Sequence, residues 1–517
     1  MRIAIVGGGI AGLAAAYELE VARKAGAGVE YTLFESQARL GGALSSEIVD
    51  GAVLERGPDS FLTEKPAAAE LCRELGLAAE LTPSNDAARK TCILVRNRLV
   101  PLPDGLMFLV PTKLISTALT RLFSLPTKLR MGLELLLPPR PSNCDESVAA
   151  LVERHFGRET VDRLADPLLS GIYGGDAAQL SARTVLPRLV EMEEAFGSLT
   201  RGMLAAHRAL RARAKMTANN GNNRGSSPAH RAAFTALRGG MQQMVDALAA
   251  RLDLASVRLS TPVSSLEKTA AGWKVETGAP ADRSSSVGWE TGAPADRPSS
   301  VGSEANGAAE FYDAVIVASP AWAAGALLGP VDPVLGEELG AIPYSSSITI
   351  NLVYDEARLG RLPDGFGFLV PAVEGRSMLA CTFVHRKFLG RTPPGKVVLR
   401  AFLGGMKNAA LLAAPDEALV ATVRRELSEI LGKKVLPLAV EPEYIQVSRW
   451  PRAMAQYAVG HQQRKQRIAA RVAALDGLRL AGNAYDGIGV SDCIRLGRQA
   501  ARELLAASAF ECSKSAV

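Results

Sequence analysis

The chain has 517 residues, 48% hydrophobic and 22% charged, which fits a globular protein of two to four domains and excludes a disordered one. Lys and Arg number 59 against 53 Asp and Glu, too small an excess for a nucleic-acid binder, and 5% aromatic residues give no stacking platform for single strands. Six cysteines (Cys72, Cys92, Cys144, Cys381, Cys493, Cys512) form no CxxC pair, and five histidines (His155, His207, His230, His385, His461) never fall in HxxxH or HxH spacing, so neither a disulfide framework nor a metal site is expected.

The first element is an apolar strand, Ile3-Ala4-Ile5-Val6, that runs into Gly7-Gly8-Gly9-Ile10-Ala11-Gly12 and a helical stretch over 13–19. In such a strand–glycine–helix unit Gly7 makes the tight turn, Gly9 admits a pyrophosphate against the backbone, and Gly12 lets helix and strand pack closely. The helix N-terminus then offers free N–H groups and a positive dipole end to the phosphates. A second strand over 29–34 ends in Glu35, placed to accept hydrogen bonds from a ribose. The unit predicts dinucleotide binding. A strand at residue 3 leaves no room for a signal peptide, so a reducing, cytoplasmic compartment is expected.

Arg39-Leu40-Gly41-Gly42 follows directly. It resembles the arginine and glycine-pair motif of the FAD-dependent amine oxidase and phytoene desaturase superfamily, in which the glycines let the chain pass a flavin pyrophosphate and the arginine neutralises it. From about 104 to 215 the periodicity is helical, with Ser147 and Ser181 as N-cap candidates. No stretch there reaches the 18 uncharged apolar residues of a spanning helix. The apolar segments 105–111 and 114–125, broken by Pro111 and Pro126 and carrying Lys113, Arg121, Lys128 and Arg130, suit a helical surface lying on a membrane. A buried helical subdomain with basic edges reads equally well. The polar run 217–228 predicts a mobile loop.

A helix is expected from Met241 to about Leu252, with strands at 257–259 and 273–275. Residues 276–289 then recur as 290–303, differing only at Ser284/Pro298 and Trp289/Ser303. Two copies cannot make a solenoid, so a disordered insertion is expected. The strand 312–318 rejoins the nucleotide domain. Strands at 347–354, 378–384 and 397–404 suggest an antiparallel sheet covered by a helix over 416–431, and a strand at 478–483 precedes a helix from Ser491.

The segments 55–61 (ERGPDSF), 170–176 (SGIYGGD), 187–193 (PRLVEME), 237–241 (LRGGM), 456–461 (QYAVGH) and 481–494 (AGNAYDGIGVSDCI) each look like protoporphyrinogen oxidase segments, and the likeness spans almost the whole chain. The resemblance implies an α/β fold in three parts. A Rossmann-like FAD domain would take 1–95, 237–270, 305–325 and 476–510, a helical, membrane-associating subdomain 96–216, and an antiparallel-sheet substrate domain 326–475. It places Gly57, Pro58, Asp59, Ser60, Ile488, Gly489 and Val490 beside the flavin, Val263 at the adenine and Trp450 near the isoalloxazine. The glycines at 482, 487 and 489 before a helix suit such an approach on physical grounds alone.

The resemblance also implies removal of hydride by the flavin, six electrons in three cycles, with molecular oxygen as acceptor. Protoporphyrinogen IX to protoporphyrin IX is the preferred reading, resting on the 104–138 region; coproporphyrinogen III to coproporphyrin III is the alternative. Gly171 matches the glycine whose carbonyl sits beside the macrocycle. The family's basic residue for a substrate propionate falls on Thr91, which is uncharged, and Arg89 and Lys90 are its expected substitutes. A homodimer, hand-over of product to a chelatase and peripheral contact with the cytoplasmic membrane fit the same picture. An amine oxidase or carotenoid desaturase remains open, although Tyr485 and Cys493 form no paired aromatic cage, as does a porphyrin-binding flavoprotein without turnover.

Overall fold

The computed structural model describes residues 1–103, 106–107, 110–111, 114–138, 145–219, 232–278 and 309–515. In chain order the strands that carry the argument are β1 (Arg2–Val6), β2 (Glu30–Phe34), β3 (Thr91–Val95), β4 (Arg98–Pro101), β5 (Val257–Arg258), β6 (Ala314–Val317), β7 (Tyr344–Asp355), β8 (Gly367–Leu369), β9 (Met378–Phe383), β10 (Lys396–Gly404), β11 (Tyr444–Ala455) and β12 (Leu478–Leu480). The helices are α1 (Ile10–Lys24), α2 (Leu125–Leu133), α3 (Val148–Phe156), α4 (Asp166–Tyr173), α5 (Pro187–Phe196), α6 (Leu199–Asn219), α7 (Asp416–Leu431) and α8 (Val490–Ser515).

Alternate residues of β1 are apolar on both sides, as a strand buried on two faces requires. Ile3 and Ile5 pack under α1 and α8, while Ala4 and Val6 face Trp273 and Leu328 on the other side. The resulting sheet is all parallel, in the order β5-β2-β1-β6-β12. The stretch expected as one strand over 312–318 is two. Asp313 Oδ2 accepts the Arg2 N–H at 2.6 Å and the Asp313 N–H donates to the Arg2 carbonyl at 2.8 Å, which fixes a bend between the strand Ala309–Tyr312 and β6.

The second sheet runs β11-β7-β10-β9-β8-β3-β4. It is mixed rather than antiparallel, because β3 joins β8 in parallel. Thr91–Val95, expected with the nucleotide domain, therefore belongs to this sheet. One face, with Ile348, Ile350, Leu399 and Ala401, packs under α7. On the other face, register aligns Ser448, Thr349, Phe402, Ala380, Leu369 and Ile93 in one row, and Gln446, Asn351, Arg400, Thr382, Gly367 and Thr91 in the next.

The helical region opens with two short paired strands, Leu106–Met107 and Val110–Pro111, where helix was expected. Val148, Leu151, Phe156, Leu164, Leu169 and Leu189 form its core. At its centre the buried His155 contacts Glu134 through Nδ1 at 3.0 Å and Glu193 through Nε2 at 3.2 Å. One side of α2 is bare: Leu125, Leu129 and Leu133 are 75%, 71% and 63% exposed, and Leu119 and Leu136, on either side of it in the chain, are exposed as well. Among the described residues no helix is long and apolar enough to cross a membrane. Helix α6 continues to Asn219, so Thr217, Ala218 and Asn219 of the expected mobile loop are helical; 220–228 lie outside the described residues. Of the repeated segment, Glu276 and Thr277 end the strand Gly272–Thr277, and 279–303 lie outside the described residues.

Candidate functional site

The two glycine motifs meet at the C-terminal ends of β1 and β2. Gly7 has φ +109°, a turn that only glycine makes without strain. A Cβ on Gly12 would stand 1.9 Å from the Gly7 carbonyl oxygen, whereas one on Gly9 would meet nothing within 4 Å. The Gly41 N–H donates to the Gly8 carbonyl at 2.8 Å, so the second motif lies directly on the first. Ile10 and Ala11 form the first turn of α1 behind this loop. Glu35 Oε2 accepts the Gly8 N–H at 2.7 Å and Oε1 accepts the Gln37 N–H at 2.8 Å, leaving the carboxylate edge-on to the loop. The Thr261 N–H donates to the Glu35 carbonyl at 2.8 Å, bringing Val263 to this end of the sheet.

Arg39 points into its own turn, donating to the carbonyls of Leu40, Leu44 and Gly42. Burial pulls its pKa below the usual arginine value, with Glu35 opposing and Arg56 adding to the effect. Arg39 thus shapes the Gly41–Gly42 turn through hydrogen bonds, a role that spacing alone does not reveal.

The segment 55–60 lies between the two sheets, and its carbonyls are gripped from the polar face of the second sheet. Asn351 Nδ2 donates to Glu55 O at 3.0 Å, Thr349 Oγ1 to Arg56 O at 2.7 Å, Trp450 Nε1 to the same oxygen at 2.8 Å, Arg400 to Gly57 O, and Arg391 Nη1 to Asp59 O at 3.2 Å. Among the described residues the N–H groups of Gly57, Asp59 and Ser60 donate to no protein acceptor. Side chains add an ionic layer. Lys387 holds both Asp59 carboxylate oxygens at 3.0 and 2.9 Å, Arg400 stands 3.8 Å from one of them, and Arg391 pairs with Glu55. Burial works to raise the Asp59 pKa, but the Lys387 and Arg400 charges and the Ser60 hydroxyl outweigh it and hold the carboxyl well below its usual range.

The C-terminal motif closes the site. Gly487 N–H donates to the Tyr457 hydroxyl at 2.8 Å, which donates to Asn483 O at 2.9 Å. Ile488 and Gly489 lead into α8, whose first residue is Val490; Asp492 caps the Gly489 N–H at 3.2 Å and pairs with Lys65 at 2.6 Å. Opposite stands the end of α4. Ser345 Oγ and Gln456 Nε2 donate to Tyr173 O at 3.0 and 2.7 Å, and burial together with the Asp492 charge pushes the Tyr173 hydroxyl up to about 12. Gly171, two residues earlier, is exposed, and a Cβ there would meet only the Leu369 Cδ2 at 3.1 Å. Of the apolar row, Ile93 is buried in the core of the helical region and Leu369 packs against it, so that α4 lies over this end of the sheet, with Gly171 beside Leu369.

Thr91 lies in the polar row of the second sheet, beside Gly367. Lys90, the next residue back, is exposed, and Arg89 is half exposed, 3.6 Å from Asp86, on the wall of a groove of about 810 Å³ with Ser84, Asn85 and Leu389. Several further residues bearing on the site escaped sequence reading. Arg400 was signalled by a lone charge in the apolar run 397–403. Lys387 and Arg391 sit in a basic stretch that reads as surface. Ser319, whose buried Oγ has no partner among the described residues, follows β6 next to Gly7.

A parallel sheet with a glycine loop at its carboxyl edge, a second helix N-terminus beside that loop and a seven-stranded mixed sheet opposite form the arrangement of a dinucleotide-binding protein. The family model for flavin containing amine oxidoreductases matches residues 10–505, and the chain belongs to that family. It is an FAD-dependent oxidoreductase. A coproporphyrinogen III oxidase of Bacillus subtilis (strain 168) is 31% identical over 98% of each chain. The chloroplastic protoporphyrinogen oxidase of Nicotiana tabacum is 28% identical over 97% of this chain and 84% of the relative. A solved structure from Exiguobacterium sp. 255-15, provisionally named a protoporphyrinogen oxidase, superposes with TM-score 0.79 at 29% identity over 98% of both chains.

Proposed function

We propose that this chain oxidises a porphyrinogen to the porphyrin, removing six electrons in three cycles with molecular oxygen as acceptor and hydrogen peroxide as by-product. The observation that carries the reading is full-length likeness to enzymes named for porphyrinogens, together with the exposed Gly171 of α4 lying beside apolar Leu369. A flat, apolar macrocycle suits an exposed glycine backbone beside apolar side chains, and carboxylates suit a polar rim.

The residues fit FAD. Open space at Gly9 and the free Ser319 hydroxyl suit the pyrophosphate, Glu35 and Val263 the adenosine, and the free N–H groups of Gly57, Asp59 and Ser60 the flavin ring, with Trp450 alongside. Arg39, Gly41 and Gly42 support the pyrophosphate loop, and Ile488, Gly489 and Val490 approach the ring from α8. Bound flavin supplies the hydride acceptor. The chain itself holds the macrocycle by the Gly171 backbone and excludes water from the face above Leu369. Arg89 or Lys90 meets a propionate at the rim in place of the uncharged Thr91. The bare leucine face of α2 with Lys128 beside it makes peripheral contact with an anionic cytoplasmic membrane. A homodimer and hand-over of product to a chelatase complete the reading.

Protoporphyrinogen IX is the substrate read from the sequence. One observation favours coproporphyrinogen III: relatives of that name from Bacillus subtilis, Staphylococcus aureus and Propionibacterium freudenreichii are 29–31% identical, against 27–28% for the plant protoporphyrinogen oxidases. Turnover of the purified protein with each porphyrinogen, followed by porphyrin fluorescence, decides between them. Failure to bleach the flavin anaerobically with either one removes the proposal.

A further inference from the structure

The ionic layer behind the 55–60 segment is unbalanced. Three cations, Lys387, Arg391 and Arg400, face two carboxylates, Glu55 and Asp59, in one contiguous buried group. Arg391 and Glu55 are almost fully buried, and Arg400 exposes 3% of its side chain. The Lys387 ammonium rests 4.9 and 5.0 Å from the rings of Phe234 and Phe388, and the Arg400 guanidinium 4.9 Å from that of Phe402. Arg391 Nε and Arg400 Nε have no hydrogen-bond partner among the described residues. A clamp built only to fasten two domains would match its charges, because each unmatched buried charge costs several kcal/mol. The nearby Arg56–Glu47 pair, at 2.8 Å, is neutral and does not offset the excess.

We propose that this cluster is an electrostatic positioning device for the redox reaction: its net positive charge, set behind the backbone that meets the flavin, raises the flavin's reduction potential. This rests on the placement of the flavin ring against Gly57–Ser60 proposed above. When a substrate C–H bond breaks, two electrons and one proton pass to the flavin as hydride. The substrate is left with a positive charge that it loses as an N–H proton, and oxygen later takes two electrons and two protons to give hydrogen peroxide. Between those events the reduced cofactor carries one more negative charge than the oxidised one, until a second proton arrives. A fixed cation in a low-dielectric setting stabilises that state selectively. Lys387 is the member of the cluster that can be neutralised with the least change of volume, and Asp59 is its direct counter-charge.

The test is the midpoint potential of the bound flavin in the holoprotein, measured by dye equilibration. Lys387→Met is expected to lower the reduced-to-oxidised ratio at fixed potential tenfold or more, a downward shift of about 30 mV for a two-electron couple. Asp59→Asn is expected to raise it by a similar factor, the double variant to lie between them, and Lys387→Arg to restore the wild-type value. Shifts of the same sign in Lys387→Met and Asp59→Asn identify a merely structural clamp and overturn the proposal, as do shifts below threefold in both. Trp450→Phe controls for placement. An unchanged visible flavin band in that variant means that the ring lies elsewhere, and the proposal falls with its placement; a shifted band with potentials unmoved in the charge variants overturns the charge argument alone.

Discussion

Replacing Gly9 with valine separates loss of cofactor from loss of fold. Gly9 has φ −67° and ψ 177°, which any residue adopts, and its Cβ would point into space free of protein atoms within 4 Å. The apoprotein therefore loses only a helix-capping glycine, about 1 kcal/mol. The flavin loses much more. A pyrophosphate pushed off the loop forfeits at least two charge-assisted hydrogen bonds to backbone N–H groups, each worth about 1.5–3 kcal/mol. Their sum is about 3–6 kcal/mol, or roughly two to four decades in Kd at 1.4 kcal/mol per decade. FAD titration of apoprotein by fluorescence quenching measures the Kd, and thermal unfolding of the same apoprotein measures the fold. Gly12→Ala is the contrasting control, since its Cβ would collide with the Gly7 carbonyl and destabilise the apoprotein itself. A Gly9→Val protein that binds FAD within threefold of wild type refutes the reasoning.

Gly171→Val is expected to retain FAD and its melting temperature, because only the flexible Leu369 tip lies near the new side chain, yet to lose porphyrinogen turnover at least tenfold; normal kcat would remove α4 from the substrate site. Of Arg89→Ala and Lys90→Ala, one is expected to raise KM about ten- to a hundredfold with kcat kept, as loss of a charge-assisted contact far from the reacting carbon would do. If neither alone nor both together change KM, the propionates bind elsewhere. For His155, burial opposes the charged form, but hydrogen bonds to Glu134 and Glu193 win and raise its pKa. Its contribution to stability is complete below about pH 6.5 and fades as pH climbs through the raised value. Melting curves of His155→Gln should therefore lack the alkaline decline of the wild type, and parallel curves would show that the pair is silent. Leu125→Ser, Leu129→Ser and Leu133→Ser combined should abolish co-sedimentation with anionic vesicles while leaving turnover in solution intact; undiminished sedimentation assigns that face another role.

What the sequence discloses here is what lies close together in it. Gly7 to Gly12 and Arg39 to Gly42 sit within one βαβ unit, so their meeting at the Gly8–Gly41 hydrogen bond follows from local geometry. The clamp is different in kind. Arg400 and Gly57 are 343 residues apart, and Arg391 and Glu55 are 336 apart, so no local pattern links them. Arg400 shows only as a charge out of place in an apolar strand. The break at Asp313 is hidden because Tyr312 runs directly into the apolar Ala314–Val317, and only the bonds to Arg2 reveal it. Thr91 stands out in the sequence as a missing charge, whereas its place beside Gly367 in the sheet does not. The parallel pairing of β3 with β8 was beyond reach, since nothing in Thr91–Val95 marks which sheet it will join.

The order β5-β2-β1-β6-β12 has a bearing on how the polypeptide is made. Strand β6 is apolar on both faces, and its second edge is covered by β12, which leaves the ribosome long after it. At about 5–20 residues per second, roughly 25–95 s separate the emergence of Val6 from that of Leu480. Throughout that interval the glycine loop exists without the 487–490 turn, and once β6 has emerged its open edge is a template for pairing with another chain. The glycine loop and the 487–490 turn are accordingly brought together only after β12 has emerged, and until then the open edge of β6 is the place where a chaperone or another chain would pair.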